Sequence, residues 1–366
     1  MLGIEPGRRR VSPVRPLLAG DLFTGRRVAG FTWVGPRGAV ESTHLDDRLL
    51  FDGEEHLSTP PDRPVPQTAD AAVPAAPVPP DDLPADRVLA ASSVEASLPL
   101  RFDALLDLPG APWQPVIRPL FAAVHATGHR VWLAGGAVRD VVAGVPLRDI
   151  RDLDLSGTVA PGRFTDITYQ TLRATRMSEF HATVNPSSLV CAVTGPKSSS
   201  RLFEYRGLVR GGFRFPVVGS RIADDSRHRD FAFNALLYDI QDHKLLDPSG
   251  TGLADLLGEN RRFTPLRAVT DPEVCAAVVA RAAKFALRWC DGQSEDQPPL
   301  DLEPLRSWIS TLPADLCQRL TRAQWTGLRS RYQRTVDASP QHQHEFAASL
   351  PEPGRGLIES LIGGAR

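Results

Sequence analysis

Lysine is nearly absent from this chain: among 42 basic residues only Lys197, Lys244 and Lys284 are not arginine. Cysteine is scarce as well. Cys191, Cys275, Cys290 and Cys317 show no C-x-x-C spacing and have apolar neighbours, which excludes a disulfide framework and a zinc-ribbon ligand set. They read as reduced, packed thiols, a usage that favours the cytoplasm. The chain lacks any apolar run of the roughly 18 residues a membrane-spanning helix needs, and lacks an N-terminal apolar segment of the secretory kind, so neither spanning nor export is expected. A dominant charge is missing too. The formal net charge is −1, so the surface is not coated in positive charge, and a nucleic-acid partner must be met by a local patch.

What is present is ample apolar material, 42% of 366 residues, enough for about two compact domains. Residues 1–58 hold strand-like pieces at Val28–Val34 and Leu49–Phe51 but no interpretable motif. From Thr59 to Pro84 proline, alanine and aspartate dominate, so 59–110 reads as an extended Pro/Ala-rich linker. A helix over 116–126 ends at Gly128, a stop signal. A strand at 131–133, a helix over 137–143 and a strand at 152–156 follow, with more strands near 180–194 and 201–206. From Val274 the apolar spacing turns helical. The boundaries predicted are a head domain over 111–265 and a helical domain over 266–366.

The densest chemistry lies in Val131–Asp154, VWLAGGAVRDVVAGVPLRDIRDLD. Gly135 and Gly136, lacking Cβ atoms, let the backbone approach a ligand closely where a strand gives way to a helix. Free N–H groups and the positive dipole end then face an anion. Arg139, three residues on, falls on the same helical face and can bind phosphate oxygens. Asp152 and Asp154, two apart on a strand, project to one side and can share divalent ions. Each motif alone also has a bland reading, a tight turn and a solvated loop respectively. Their order and closeness favour a triphosphate held with metal.

These residues resemble the head domain of the class II nucleotidyltransferases, the tRNA CCA-adding enzymes and bacterial poly(A) polymerases. That pattern runs strand, G-G-x-V-R-D, helix, G-x-P, D-x-D; Gly135, Gly136, Val138, Arg139, Asp140, Gly144, Pro146, Asp152 and Asp154 match it. Ile222–Asp239 is similar to the family's R-R-D-F-T-I-N-A-L block through Arg229, Asp230, Phe231, Asn234, Ala235 and Leu236, with His228 at the first arginine. Leu246–Leu256 resembles its D-P-x-G-G-x-x-D-L turn, and Phe203–Arg206 a strand carrying a glutamate. The likeness covers about residues 115–290.

The resemblance implies an α+β fold: a nucleotidyltransferase (polymerase beta-like) head with a mixed antiparallel sheet and flanking helices, followed by a small all-helical domain. It implies transfer of a nucleoside monophosphate from ATP, or CTP, to a hydroxyl such as a tRNA or other RNA 3′ end, with release of pyrophosphate and no membrane partner. Asp152 and Asp154 would hold Mg²⁺; Asp230 would brace the catalytic site. Gly135, Gly136, Arg139, Arg229, Asn234 and Asp271 would bind nucleotide. Two departures stand out. Leu147–Ile150 lengthen the loop before the aspartates, and offer Asp149 as a competitor to Asp152. The family's base-reading E-D-x-x-R becomes Thr270-Asp271-Pro272-Glu273-Val274, an arginine short, and Arg281-Ala-Ala-Lys284-Phe285 follows about one helical turn later than R-A-x-R-F would. A different acceptor, whether a small molecule, a protein hydroxyl or a second nucleotide, is therefore one alternative; a non-catalytic RNA- or nucleotide-binding relative is another.

Further candidates are Glu204 as a third carboxylate and an arginine-rich stretch over Lys197–Arg229, which reads equally as a charged hairpin edge. Arg8-Arg9-Arg10, with Arg15, Arg26 and Arg27, reads either as a phosphate-binding arm or as an ordinary terminus.

Overall fold

The strand-forming residues gather, in a computed structural model, around one long sheet. Described are residues 32–34, 40–42, 82–185, 190–195, 201–210, 217–269, 271–291 and 298–363. The Arg8–Arg10 cluster, Leu49–Phe51 and nearly all of the proline-rich stretch lie outside them. Two units are distinguished. In the first, β1 (Thr32–Val34) and β2 (Val40–Ser42) pair antiparallel as a hairpin.

The second unit contains β3 (Val88–Ala90), β4 (Val131–Ala134), β5 (Leu153–Gly157), β6 (His181–Asn185), β7 (Val190–Thr194) and β8 (Arg201–Gly207), then the short pair β9 (Val209–Arg210) and β10 (Val217–Val218). After these come β11 (Leu237–Asp239), β12 (Lys244–Leu246), β13 (Arg261–Arg262) and β14 (Leu300–Asp301). Eight form one mixed sheet in the order β3-β12-β11-β4-β5-β8-β7-β6. β5 and β8 run parallel, whereas β4–β5, β4–β11 and β7–β8 are antiparallel. This is the α+β class that the sequence predicts.

Residues 82–110 differ from expectation. The stretch read as linker is folded from Asp82: β3 adds an edge to the sheet by pairing with β12, and α1 (Ala91–Val94) and α2 (Leu98–Leu106) follow. The dense proline run ends at Pro84, and beyond it Leu98, Phe102, Leu105 and Leu106 are fully buried, an apolar spacing that supplies the burial a helix needs to be stable. Phe102 stacks on Tyr238 of β11 with ring centroids 3.6 Å apart.

Side chains alternate across the sheet as period-two geometry requires. Val131, Leu133, Leu153, Leu155, Phe203 and Tyr205 face the main core, together with α3 (Gln114–Ala126) and α5 (Pro161–Ala174). Trp132 and Ala134 face the other way, into a smaller cluster with Leu208, Ile222 and Leu237. Along β5 and β8 that second face is polar, carrying Asp154 and Ser156 beside Glu204 and Arg206 in register. The helix α4 (Gly135–Val142) starts directly at the end of β4, and α6 (Ile222–Ser226) and α7 (Gly252–Leu257) complete the head.

The 20-residue α8 (Pro272–Asp291) then leads into α9 (Glu303–Ile309), α10 (Leu316–Arg319), α11 (Arg322–Thr335), α12 (Pro340–Ala348) and α13 (Gly354–Ile362). The parallel pair β13–β14 interrupts this helical run and ties Leu300–Asp301 back to the head. No described helix is long and apolar enough to cross a membrane.

Candidate active site

At the junction of β4 and α4 the backbone of Gly135 adopts φ +61°, a region open to glycine and costly for other residues. A Cβ there would also meet Oδ2 of Asp154 at 2.7 Å, so the turn and the carboxylate occupy adjoining space. Ala134 pairs with Asp154 across β4 and β5, which fixes that proximity through the sheet register. The backbone N–H of Gly136 donates to the Asp154 carboxylate.

Asp154 is half-buried and Asp152 exposed. Burial, reinforced by the nearby charge of Asp152, pushes the Asp154 carboxyl above its usual range; the cations Arg229 and Arg281 and the Gly136 N–H oppose this without cancelling it. Asp154 thus sits against the glycine turn, and Asp152, just before the start of β5 at Leu153, acts on it through its charge. Hard oxygen donors of this kind suit Mg²⁺, which is usually held by one or two carboxylates with phosphate oxygens and water completing its shell. Among the described residues no group of three His, Cys, Asp or Glu side chains forms a fuller cage. Asp149 sits in a 3₁₀ turn near Arg148 and is exposed.

Arg139 is placed differently from the phosphate-facing position the sequence suggests. It is buried, with 4% exposure, because α4 packs this face inward. Its Nε donates to Asp140 Oδ1 at 2.9 Å, its Nη1 donates to Asn234 Oδ1 at 2.7 Å, and its guanidinium lies 4.6 Å from the Phe285 ring centre. Asn234, also buried, passes the connection on: its Nδ2 donates to Asp230 Oδ1 at 3.0 Å. Asp230 accepts a further bond from Arg281 of α8, and Asp140 pairs with Arg288 at 3.3 Å, two turns along the same helix. The chain Arg288–Asp140–Arg139–Asn234–Asp230–Arg281 therefore fastens α8 to the glycine-turn helix. Burial raises the Asp230 carboxyl, yet the Arg281 charge and the Asn234 and Phe231 N–H donors hold it net below its ordinary value. Beneath this network Phe233 packs against Phe231, Phe285 and Trp289 with centroids 5.2, 5.6 and 5.2 Å apart.

Arg229 stands over the polar face of β5. Its Nη2 donates to Ser156 Oγ at 3.1 Å and to Asp225 at 2.9 Å. Arg206 Nη2 reaches the same carboxyl at 3.0 Å. Burial opposes ionisation of Asp225, but Arg229 and Arg206 prevail and hold it down at about 2. Arg206 itself is brought down to about 10 by burial and by Arg229. The arginine-rich stretch is thus, in this part, a half-buried ion-pair cluster.

Asp271 is not joined to this assembly by any described contact. It caps α8: its Oδ1 accepts from the Glu273 N–H at 2.8 Å and the Val274 N–H at 3.4 Å. Ten residues separate it from Arg281, about 15 Å along the helix axis. The site residues that sequence reasoning left out of the site are Ser156, Arg281, Lys284 and Arg288. The R-A-x-R-F likeness was a signal for Arg281 and Lys284, but only the packing of α8 against α4 brings them here.

Residues 131–261 match the family model described as the poly A polymerase head domain. Poly(A) polymerase I of Escherichia coli O157:H7 is 27% identical over 203 residues, covering 52% of this chain and 42% of that protein. The CC-adding tRNA nucleotidyltransferase of Shouchella clausii is 27% identical over 133 residues, covering 36% of this chain and 28% of that protein. The chain thus spans less than half the length of these curated relatives. Among solved structures, the Bacillus stearothermophilus CCA-adding enzyme in complex with CTP matches at 17% identity and a TM-score of 0.44, covering 64% of this chain and 53% of that one.

Proposed function

We propose that this chain is a metal-dependent nucleotidyltransferase that moves a nucleoside monophosphate from a triphosphate to the 3′ hydroxyl of an RNA and releases pyrophosphate. The observation that carries the reading is the seat of Asp154 against the φ +61° turn at Gly135, with the charge of Asp152 acting on it. The head-domain match over residues 131–261, and relatives named poly(A) polymerase and tRNA nucleotidyltransferase, support it.

In this reading Asp152 and Asp154 would hold Mg²⁺, which would supply Lewis-acid activation of a hydroxyl and charge compensation for a triphosphate. Gly135 and Gly136 leave room for the phosphates beside those carboxylates, at the opening of α4. Arg229 adds positive charge over the same sheet face. Arg139, Asn234 and Asp230 act as positioning residues, fixing the turn-bearing helix to α8 rather than touching phosphate. Such chemistry asks the protein mainly for placement and charge compensation.

A second reading, a small-molecule or protein acceptor, is favoured by one feature: Asp271 is engaged as a helix cap, and Val274 stands where a base-reading arginine is expected. Pyrophosphate release measured with each of the four ribonucleotides and Mg²⁺, with and without total cellular RNA, separates the two. RNA-dependent release lost in Asp152→Ala supports the first. Release independent of RNA moves the assignment to the second, and no release with any nucleotide overturns both.

A further inference from the structure

Helices α8 and α11 do not close completely on each other. Between them lies a cavity of about 100 Å³ lined by the cations Arg281, Lys284 and Arg331 together with apolar residues, Tyr332 and Thr335. No carboxylate lines it. Among the described residues, Arg281 has its carboxylate partner in Asp230, whereas neither Lys284 nor Arg331 has a carboxylate within ion-pair distance. Lys284 is half-buried; that burial and the charges of Arg281, Arg139 and Arg288 disfavour its cation, while Asp152 acts the other way. Lys284 and Arg331, the two without such a partner, repel one another across this partly desolvated space unless an anion sits between them.

Lining and surroundings narrow that anion. The lining offers cations and no carboxylate, so its charge selects an anionic group such as a phosphate. The helix on the far wall, α11, carries Arg322, Arg329, Arg331 and Arg334 and no acidic residue. Arg331 and Arg334, three apart and exposed, continue the positive charge away from the rim. A row of cations leading from a phosphate seat suits a repeating phosphodiester.

We propose that this cavity seats one backbone phosphate of the single-stranded polynucleotide acceptor, with Lys284 and Arg331 as its ligands and Arg281 shared with Asp230. The inference rests on the nucleotidyltransferase reading only for the acceptor's identity as RNA. Binding is testable without turnover.

The test uses the full chain and a fluorescein-labelled short single-stranded RNA, followed by anisotropy over a series of salt concentrations, with Arg331→Ala, Lys284→Gln and the remote control Arg101→Ala. Each cavity variant is expected to weaken RNA binding about tenfold and to lower the slope of log affinity on log salt by about 0.7, one phosphate contact's worth, while the control does neither. Where turnover is present, KM for the nucleotide stays unchanged in Arg331→Ala. Wild-type affinity and slope in both cavity variants, or a raised nucleotide KM in Arg331→Ala with RNA affinity intact, overturns the seat. Failure of the wild type to bind RNA overturns it too. RNA binding that responds to the variants, without turnover in the wild type, sinks the catalytic reading and leaves the seat standing.

Discussion

A Cβ atom on Gly135 would stand 2.7 Å from Oδ2 of Asp154, inside any permitted contact. The positive φ of the glycine and the acid on the neighbouring strand are thus one structural device. Gly135→Ala must either leave the left-handed region or push Asp154 aside. It is expected to cost about 1–3 kcal/mol of stability and to lower nucleotide turnover by at least about a hundredfold, through misplacement of the carboxylate. Thermal melting and pyrophosphate release check the two effects; a fully active, equally stable variant contradicts the device.

Asp154 carries a charge that its surroundings disfavour, through burial and through Asp152. Asp154→Asn keeps the shape and an acceptor for the Gly136 N–H while removing the repulsion. The expectation is a protein with unchanged or higher Tm whose turnover is abolished and whose Mg²⁺ affinity, read by isothermal titration in the presence of nucleotide, falls. A drop in Tm together with retained turnover argues that the acid is structural.

Asp225 gives a pH signature away from the proposed metal site. Its folded carboxyl is held at about 2, below the ordinary 3.8, by Arg229 and Arg206 against the opposing effect of burial. The unfolded chain therefore takes up this proton first as pH falls. The stabilisation is fully present above about pH 4, amounts to about 2 kcal/mol, and is lost as pH falls towards 2. Asp225→Asn should lower stability by that order at pH 7, and the gap should close in acid. Urea unfolding at a series of pH values tests this; a gap independent of pH contradicts it.

Arg139 shows why lysine, so rare in this chain, is no substitute at this point. A guanidinium reaches Asp140 and Asn234 at once and stacks 4.6 Å above Phe285, whereas an ammonium on a longer-range point charge cannot match that fork. Arg139→Lys is expected to destabilise by about 2–3 kcal/mol, since it leaves buried partners unsatisfied. Turnover should fall while nucleotide KM changes little, the mark of positioning rather than phosphate contact. A large rise in nucleotide KM at unchanged stability would restore Arg139 to the triphosphate.

How much of this was readable beforehand follows the range of each interaction. The glycine turn and the two aspartates are local patterns of sequence, so β4, α4 and β5 fall within about two residues of the predicted positions. The direction of Arg139 was not readable, because helical spacing alone gives it the ligand face and only the approach of α8, about 140 residues later, turns that face inward. Arg281, Lys284 and Arg288 reach the site through the same long-range packing. The start of the folded region is hidden in the sequence for a different reason: β3 is three residues long, too short for a period, and follows closely on a proline-rich run.

Asp271 supplies the sharpest separation of two readings of a single residue. As a base-reading acid it would affect which nucleotide is used; as the cap of α8 it satisfies the otherwise orphaned N–H groups of Glu273 and Val274. Asparagine caps a helix about as well as aspartate, and alanine does not. On the capping account Asp271→Asn is silent, and Asp271→Ala costs about 1 kcal/mol while the ranking of ATP, CTP, GTP and UTP as substrates stays as in the wild type. On the base-reading account both variants change that ranking, because either one removes the negative charge. Competition between labelled nucleotides at equal concentration decides it, and the described contacts favour an unchanged ranking.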